Sequence, residues 1–176
     1  MSKPGTPTPS NTLLLRRQLT ELTKRPVEGF SAGLVDDDNL YEWEIMIIGP
    51  PDTLYEGGFF KARLTFPPEY PIMPPKLRFI TQMWHPNIYA DGNVCISILH
   101  APGEDQYGYE DAGERWMPVH TVESILISVI SMLSADVPNI DSPANVDAAK
   151  EVRDDPSGYK KKVRRLARRS AEEAFD

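Results

Sequence analysis

The chain reads as an α+β domain: an N-terminal helix, a four-stranded antiparallel meander sheet, a strongly apolar helix and two further C-terminal helices. Three observations predict this. The strand-like runs are grouped rather than alternating with helices, which argues against a parallel α/β sheet. The links between them are mostly short, as antiparallel neighbours allow. Helical spacing flanks the strands on both sides. A length of 176 residues fits one domain with a sizeable core.

Residues 1–11, MSKPGTPTPSN, are rich in Pro, Ser and Thr and have no apolar period. They read as a disordered tail that ends in capping residues, leaving 12–176 as the folded domain. Leu15, Leu19 and Leu22 then recur at helical spacing, with Arg16, Arg17 and Glu21 off that face, and Pro26 stops the helix. FSAGLV is the first strand. In the second, Trp43, Ile45 and Ile47 alternate with Glu42, Glu44 and Met46. In the third, Phe60, Ala62, Leu64 and Phe66 alternate with Lys61, Arg63 and Thr65. KLRFIT is a shorter fourth.

Between the third and fourth strands lies FPPEYPIMPPK, with five prolines in the ten residues from Phe66. It cannot be a helix or a central strand. Its interleaved aromatics and Ile72-Met73 favour a rigid crossover packed on the domain over a free proline-rich ligand, and Tyr70-Pro71 is a candidate cis bond. Late in the chain, HTVESILISVISMLSA is apolar on more than one face and should be largely buried. Pro143 is expected to open the next helix. The last is amphipathic, with Val163, Leu166, Ala167 and Ala174 on one side and a run of Lys and Arg on the other, read as an ordinary solvated face.

Bulk features narrow the function. A formal net charge of -7 argues against nucleic acid as the main partner. No apolar run is long enough to span a bilayer and no secretory signal is visible, so no membrane anchor is expected. One cysteine excludes an internal disulfide and any CxxC motif, and suits a reducing, cytoplasmic setting, with the nucleus also open to the protein. Three histidines and one cysteine, spaced as they are, build no obvious zinc site.

That cysteine, Cys95, sits in HPNIYADGNVCISILH, just past two turns. Flanked by Val94 and Ile96, it could be a small buried hydrophobe, as most free cysteines are. A protease-like pair would need an oriented base, and the spacing argues against one. His85 precedes a proline in a tight turn, and His100 stands five residues away with no obvious Asn or Asp to orient it. A thiol that carries an acyl group as a thioester needs less: an oxyanion donor, which Asn87 behind Pro86 can supply, and a carboxylate to help deprotonate an incoming amine. The acidic stretch after Cys95 offers carboxylates. No Lys or Arg lies within five residues of Cys95, so low reactivity towards a general alkylating agent is expected.

The block HPNIYADGNVCISIL resembles the active-site signature of the ubiquitin-conjugating enzymes. FPPEYPIMPPKLRFIT is similar to the family's YPxxPPxxxF block, RWMPVHTVESILISVISMLS to its crossover helix, and DSPANVDAA to the helix after it. The acidic insertion, about 100–114, resembles that of the subgroup containing the G-type enzymes. The resemblance implies that Cys95 takes ubiquitin from an activating enzyme as a thioester and passes it to substrate lysines with a RING-type ligase. The chains so built would direct targets to the proteasome. ATP is consumed by the activating enzyme, and neither cofactor nor metal is implied here.

By the same resemblance, Asn87 stabilises the oxyanion or braces the loop, and His85 and Pro86 are structural. Ile72, Met117 and Pro118 form a ligase groove with Arg16 and Arg17 at its rim, and Ile127 touches the donor ubiquitin. Many family members carry Asp before the proline that opens the helix after the crossover, where this chain has Ser142. Lysine activation is therefore expected from Glu104 or Asp105, with His100 gating the cleft.

Overall fold

The computed structural model describes residues 8–101 and 115–175. The elements run α1 (Pro9–Lys24), β1 (Phe30–Leu34), β2 (Glu42–Ile48), β3 (Phe59–Thr65), β4 (Lys76–Phe79), a 3₁₀ turn (Ser97–Leu99), α2 (Val122–Ser134), α3 (Val146–Asp154) and α4 (Pro156–Ala174). The four strands form one antiparallel meander in the order β1-β2-β3-β4. Register pairs Trp43 with Leu64 and Ile45 with Ala62, so the apolar residues of both strands share one face.

That face carries the core. Trp43, Ile45, Ile47, Phe60, Ala62, Leu64, Leu77 and Phe79 are all buried. They join Leu15 from α1, Val122, Ile125, Leu126, Val129 and Leu133 from α2, and Tyr159, Val163 and Ala167 from α4. The other face is polar and laced by exposed ion pairs, Lys61–Glu44 at 3.6 Å and Arg63–Glu42 at 3.4 Å, which contribute little to stability.

Two helix starts differ from the sequence reading. The first helix begins at Pro9, inside the stretch assigned to the tail. Proline is tolerated there because first-turn amides have no helical partner, and the Thr8 side chain caps the helix by accepting from the Asn11 N–H at 3.2 Å. The expected opening at Pro143 is also displaced: α3 begins at Val146, capped by Asn145, whose Oδ1 accepts from the Ala148 N–H at 3.0 Å. Pro143 instead belongs to a turn whose Ser142 has φ 49°. The apolar helix α2 starts with a capping box between Thr121 and Ser124. It is not buried all round, since Ile127 is 48% exposed on its outer side. The Tyr70–Pro71 bond is cis.

Candidate active site

The site is built from the turn at His85. This ring is 2% exposed. Its Nδ1 accepts from the Asn87 N–H at 2.9 Å, which leaves Nε2 as the protonated nitrogen, directed at the Met132 carbonyl. Burial pushes its pKa down to about 4, against the opposing pull of that carbonyl. The imidazole is therefore neutral near pH 7, and its bond to the Asn87 N–H closes the turn. Pro86 is buried too, and its carbonyl accepts from the Ala144 and Asn145 N–H groups at 2.8 and 2.9 Å. The segment leading into α3, Ser142 included, is thus pinned beside this turn.

From Asn87 the chain enters a short hairpin. The Tyr89 N–H donates to Asn93 O and the Cys95 N–H to Asn87 O, both at 2.9 Å, around an Ile88–Val94 bridge. The turn closes when the Gly92 N–H donates to Tyr89 O, with Gly92 at φ 98°. Side chains alternate across such a ladder. Ile88 is buried in the core, so Asn87, Tyr89, Asn93 and Cys95 share the opposite face. Cys95 is half-buried, with Asn87 directly across from it.

After Cys95 a 3₁₀ turn brings the chain back. His100 Nε2 lies 3.7 Å from Cys95 Sγ, so two side chains that the sequence spacing set apart are in contact. Tyr89, 47% exposed, lies on the same hairpin face as the sulfur, as its diagonal neighbour. The negative charge of the nearby sulfur, ahead of burial, holds the Tyr89 pKa above its ordinary value. Sequence reasoning passed over Tyr89; the alternation 87, 89, 93, 95 across an Asp-Gly turn was the available signal.

Trp84 was also passed over. Its indole N–H donates to Glu151 Oε1 at 3.2 Å, and Lys162 Nζ sits 3.4 Å above the ring centroid. At least one residue of the basic α4 face is therefore spoken for, holding that helix to the residue before His85.

The remaining sequence-derived residues fall in separate places. The Trp116 indole N–H donates to Pro71 O at 2.8 Å, joining the two loops that carry Ile72 and Met117-Pro118. Ile72 is 67% exposed, and Met117 and Pro118 are exposed as well. Arg16 and Arg17 are exposed on α1, just before Gln18, whose Oε1 accepts from the Tyr70 hydroxyl at 3.0 Å. Glu104 and Asp105 lie outside the described residues. Among the described residues, no group of three or more His, Cys, Asp or Glu side chains is placed to hold a metal ion. No described helix is long and apolar enough to cross a membrane.

A half-buried thiol on a hairpin face, opposite an asparagine and beside a turn braced by a buried neutral histidine, is an arrangement that suits acyl transfer. Comparison with known proteins is in line with that chemistry. The family described as ubiquitin-conjugating enzyme matches residues 14–167. Ubiquitin-conjugating enzyme E2 15 of Schizosaccharomyces pombe is 65% identical over 166 residues, 94% of this chain and 98% of that protein. Human ubiquitin-conjugating enzyme E2 G2 is 52% identical over 156 residues, 89% of this chain and 93% of that protein. The solved structure of human ubiquitin-conjugating enzyme E2 G1 superposes with a TM-score of 0.64 at 64% identity, covering 72% of this chain and 97% of that one. The chain belongs to the ubiquitin-conjugating enzymes, which are transferases, and the matches to the G1 and G2 enzymes support the G-type subgroup.

Proposed function

We propose that Cys95 receives ubiquitin from the activating enzyme as a thioester and releases it to a lysine amine with the help of a RING-type ligase. The product would be ubiquitin chains that send targets to the proteasome, in the cytoplasm and the nucleus. The observation that carries the first step is the hairpin register, which sets Cys95 across from Asn87 on a half-buried face. A thioester is already activated towards amines, so the site needs an oxyanion donor more than a strong base at the sulfur. The Asn87 side-chain amide is the donor, or else it braces the loop that holds the thioester. His85, neutral and buried, keeps that turn in place.

The ligase reading draws on exposed Ile72, Met117 and Pro118, carried by two loops bonded through Trp116 and Pro71, with Arg16 and Arg17 on the neighbouring helix. Exposed Ile127 on α2 suits a contact with the hydrophobic patch of the donor ubiquitin. Lysine activation is assigned to Glu104 or Asp105, and gating to His100, in place of the carboxylate that Ser142 lacks.

The test is a charging assay with ubiquitin, ATP and activating enzyme, read on a gel without reductant. An adduct that thiol removes, and that becomes thiol-resistant in Cys95→Ser, is the expected result. A folded protein that forms no adduct would overturn the reading of Cys95. Once loaded, the enzyme should lose ligase-stimulated discharge on Ile72→Ala or Met117→Ala. It should lose lysine discharge, with normal loading, when Glu104 and Asp105 are both neutralised.

A further inference from the structure

Charge is unevenly placed along this chain. Residues 1–155 hold twelve Lys or Arg against 23 Asp or Glu, a formal -11, while residues 156–176 hold seven against three, a formal +4. All seven of those cations fall between Lys160 and Arg169 on α4. Two are engaged within the fold: Lys162 lies over the Trp84 ring, and Arg169 pairs with Glu173 at 3.0 Å. The other five, Lys160, Lys161, Arg164, Arg165 and Arg168, are exposed, and among the described residues none of them makes an ion pair.

Helical spacing puts these five on one side of α4, opposite the buried Tyr159, Val163, Leu166 and Ala167. They form a convex cationic ridge about 12 Å long. Lys160–Arg164, Lys161–Arg165 and Arg164–Arg168 are like-charge pairs at i,i+4, an arrangement that opposes helix formation. A local rule broken on the surface of an otherwise consistent fold marks a place shaped by function.

We propose that this ridge docks an acidic segment of the protein substrate, a short run of Asp and Glu, and so holds a lysine of the same chain near Cys95. Charge complementarity selects an anion, and three observations select a short acidic polypeptide. The apolar side of α4 is spent in the core, so the helix has no face to lay into a bilayer. No aromatic stands between Lys160 and Arg169 to stack a base, and a long polyanion would run off the ridge onto a chain that is otherwise acidic. The ridge also adjoins the active-site turn at one end, because Lys162 sits 3.4 Å above Trp84, the residue before His85. A substrate held there presents its lysine at a raised local concentration.

The inference rests on Cys95 being the acyl carrier, and its experiment has two arms so that either failure can be recognised. The probe is a peptide with one lysine, a twelve-residue Gly-Ser linker and a block of eight Glu; the control peptide has Gln in place of Glu. The linker reaches about 40 Å when extended, so the position of the lysine does not limit the result. In the first arm, binding to the uncharged enzyme is followed by fluorescence anisotropy. The acidic peptide is expected to bind about tenfold tighter than the control, the scale of several exposed ion pairs acting together, and to lose that advantage in about 0.5 M NaCl. In the second, ubiquitin-loaded enzyme is discharged onto each peptide in single turnover. The Glu block is expected to lower the half-saturating concentration about tenfold and leave the maximal rate unchanged, as binding alone does.

Both preferences should fall to near one when Lys161, Arg164, Arg165 and Arg168 are all changed to Gln, a helix former that keeps thermal unfolding close to wild type. Arg164→Lys, Arg165→Lys and Arg168→Lys together should retain them, since the charge is kept. Equal binding of the two peptides would overturn the proposal, as would a preference that survives the four Gln substitutions. Tight binding without faster discharge would overturn the substrate role. Binding of single-stranded RNA or phosphatidylserine vesicles through the ridge, with no binding of the acidic peptide, would overturn the choice of partner. A wild-type enzyme that cannot be charged would overturn the reading of Cys95 and leave the first arm to judge the ridge.

Discussion

His85 shows how one buried side chain ties the site to pH. In the unfolded chain the imidazole titrates at its ordinary value of 6.5, and in the folded protein burial lowers that to about 4. Between those values the unfolded state binds more protons, so stability rises with pH across the window. The contribution is complete above pH 6.5 and is lost as pH falls through about 4. Its full size is about 3 kcal/mol. Urea unfolding at pH 7.0 and 4.5 should show most of this loss, and His85→Gln should flatten the dependence while lowering stability at pH 7. If wild type and His85→Gln have the same pH slope, the ring is not buried in its neutral form. The side chain that makes the motif recognisable thus acts by staying uncharged, holding the Asn87 N–H on Nδ1 and leaving the proton on Nε2.

At the level of elements, the hairpin from Asn87 to Cys95 depends on one glycine. Gly92 has φ 98°, and a Cβ there would run into the Phe79 carbonyl oxygen, because the Phe79 N–H donates to Gly92 O at 2.8 Å. Gly92→Ala meets both obstacles and should cost about 2 kcal/mol or more. It should also slow ubiquitin loading at temperatures where the variant remains folded, since the turn sets where Cys95 points. Thermal unfolding and charging rate check the two effects, and a variant as stable as wild type would mean that the turn relaxes without strain. The strands were legible because a half-buried sheet imposes a period of two, which Trp43, Ile45 and Ile47 display without interruption. The start of α3 was not. Pro143 looks like a first-turn proline, but the Ala144 and Asn145 amides are taken by the Pro86 carbonyl, a partner distant in sequence. The contacts of Cys95 were hidden for a related reason. A search for neighbouring cations along the chain does not see an imidazole returned by a 3₁₀ turn, nor the side chains that hairpin register sets on the cysteine's face.

Across the whole molecule, the proline loop and two helices are joined at Gln18. This α1 side chain offers one oxygen, Oε1, to the Tyr70 hydroxyl at 3.0 Å and to the Val122 N–H at 3.1 Å. Tyr70 is fully buried, and burial pushes its phenol up to about 12, although the Gln18 bond pulls the other way. It remains a donor wherever the protein is folded near neutrality. The Val122 N–H belongs to the first turn of α2, where a helix has no internal acceptor to offer. Removing the shared oxygen therefore strands two buried donors at once. Gln18→Leu should cost about 3 kcal/mol by urea unfolding, because an unsatisfied buried donor costs far more than an average hydrogen bond contributes. Gln18→Glu retains an acceptor and should recover much of that loss. The functional reach is wider than the stability effect. Tyr70 packs against Trp116 with ring centroids 5.8 Å apart, and Trp116 bonds to Pro71, so loosening Tyr70 loosens both loops of the proposed ligase groove. Ligase-stimulated discharge should then fall in Gln18→Leu while discharge without ligase stays near wild type, because the Cys95 hairpin is held separately by His85 and Gly92. Equal losses with and without ligase would show that the groove and the hairpin are one mechanical unit, and a stability within about 0.5 kcal/mol of wild type would remove Gln18 from the joint altogether.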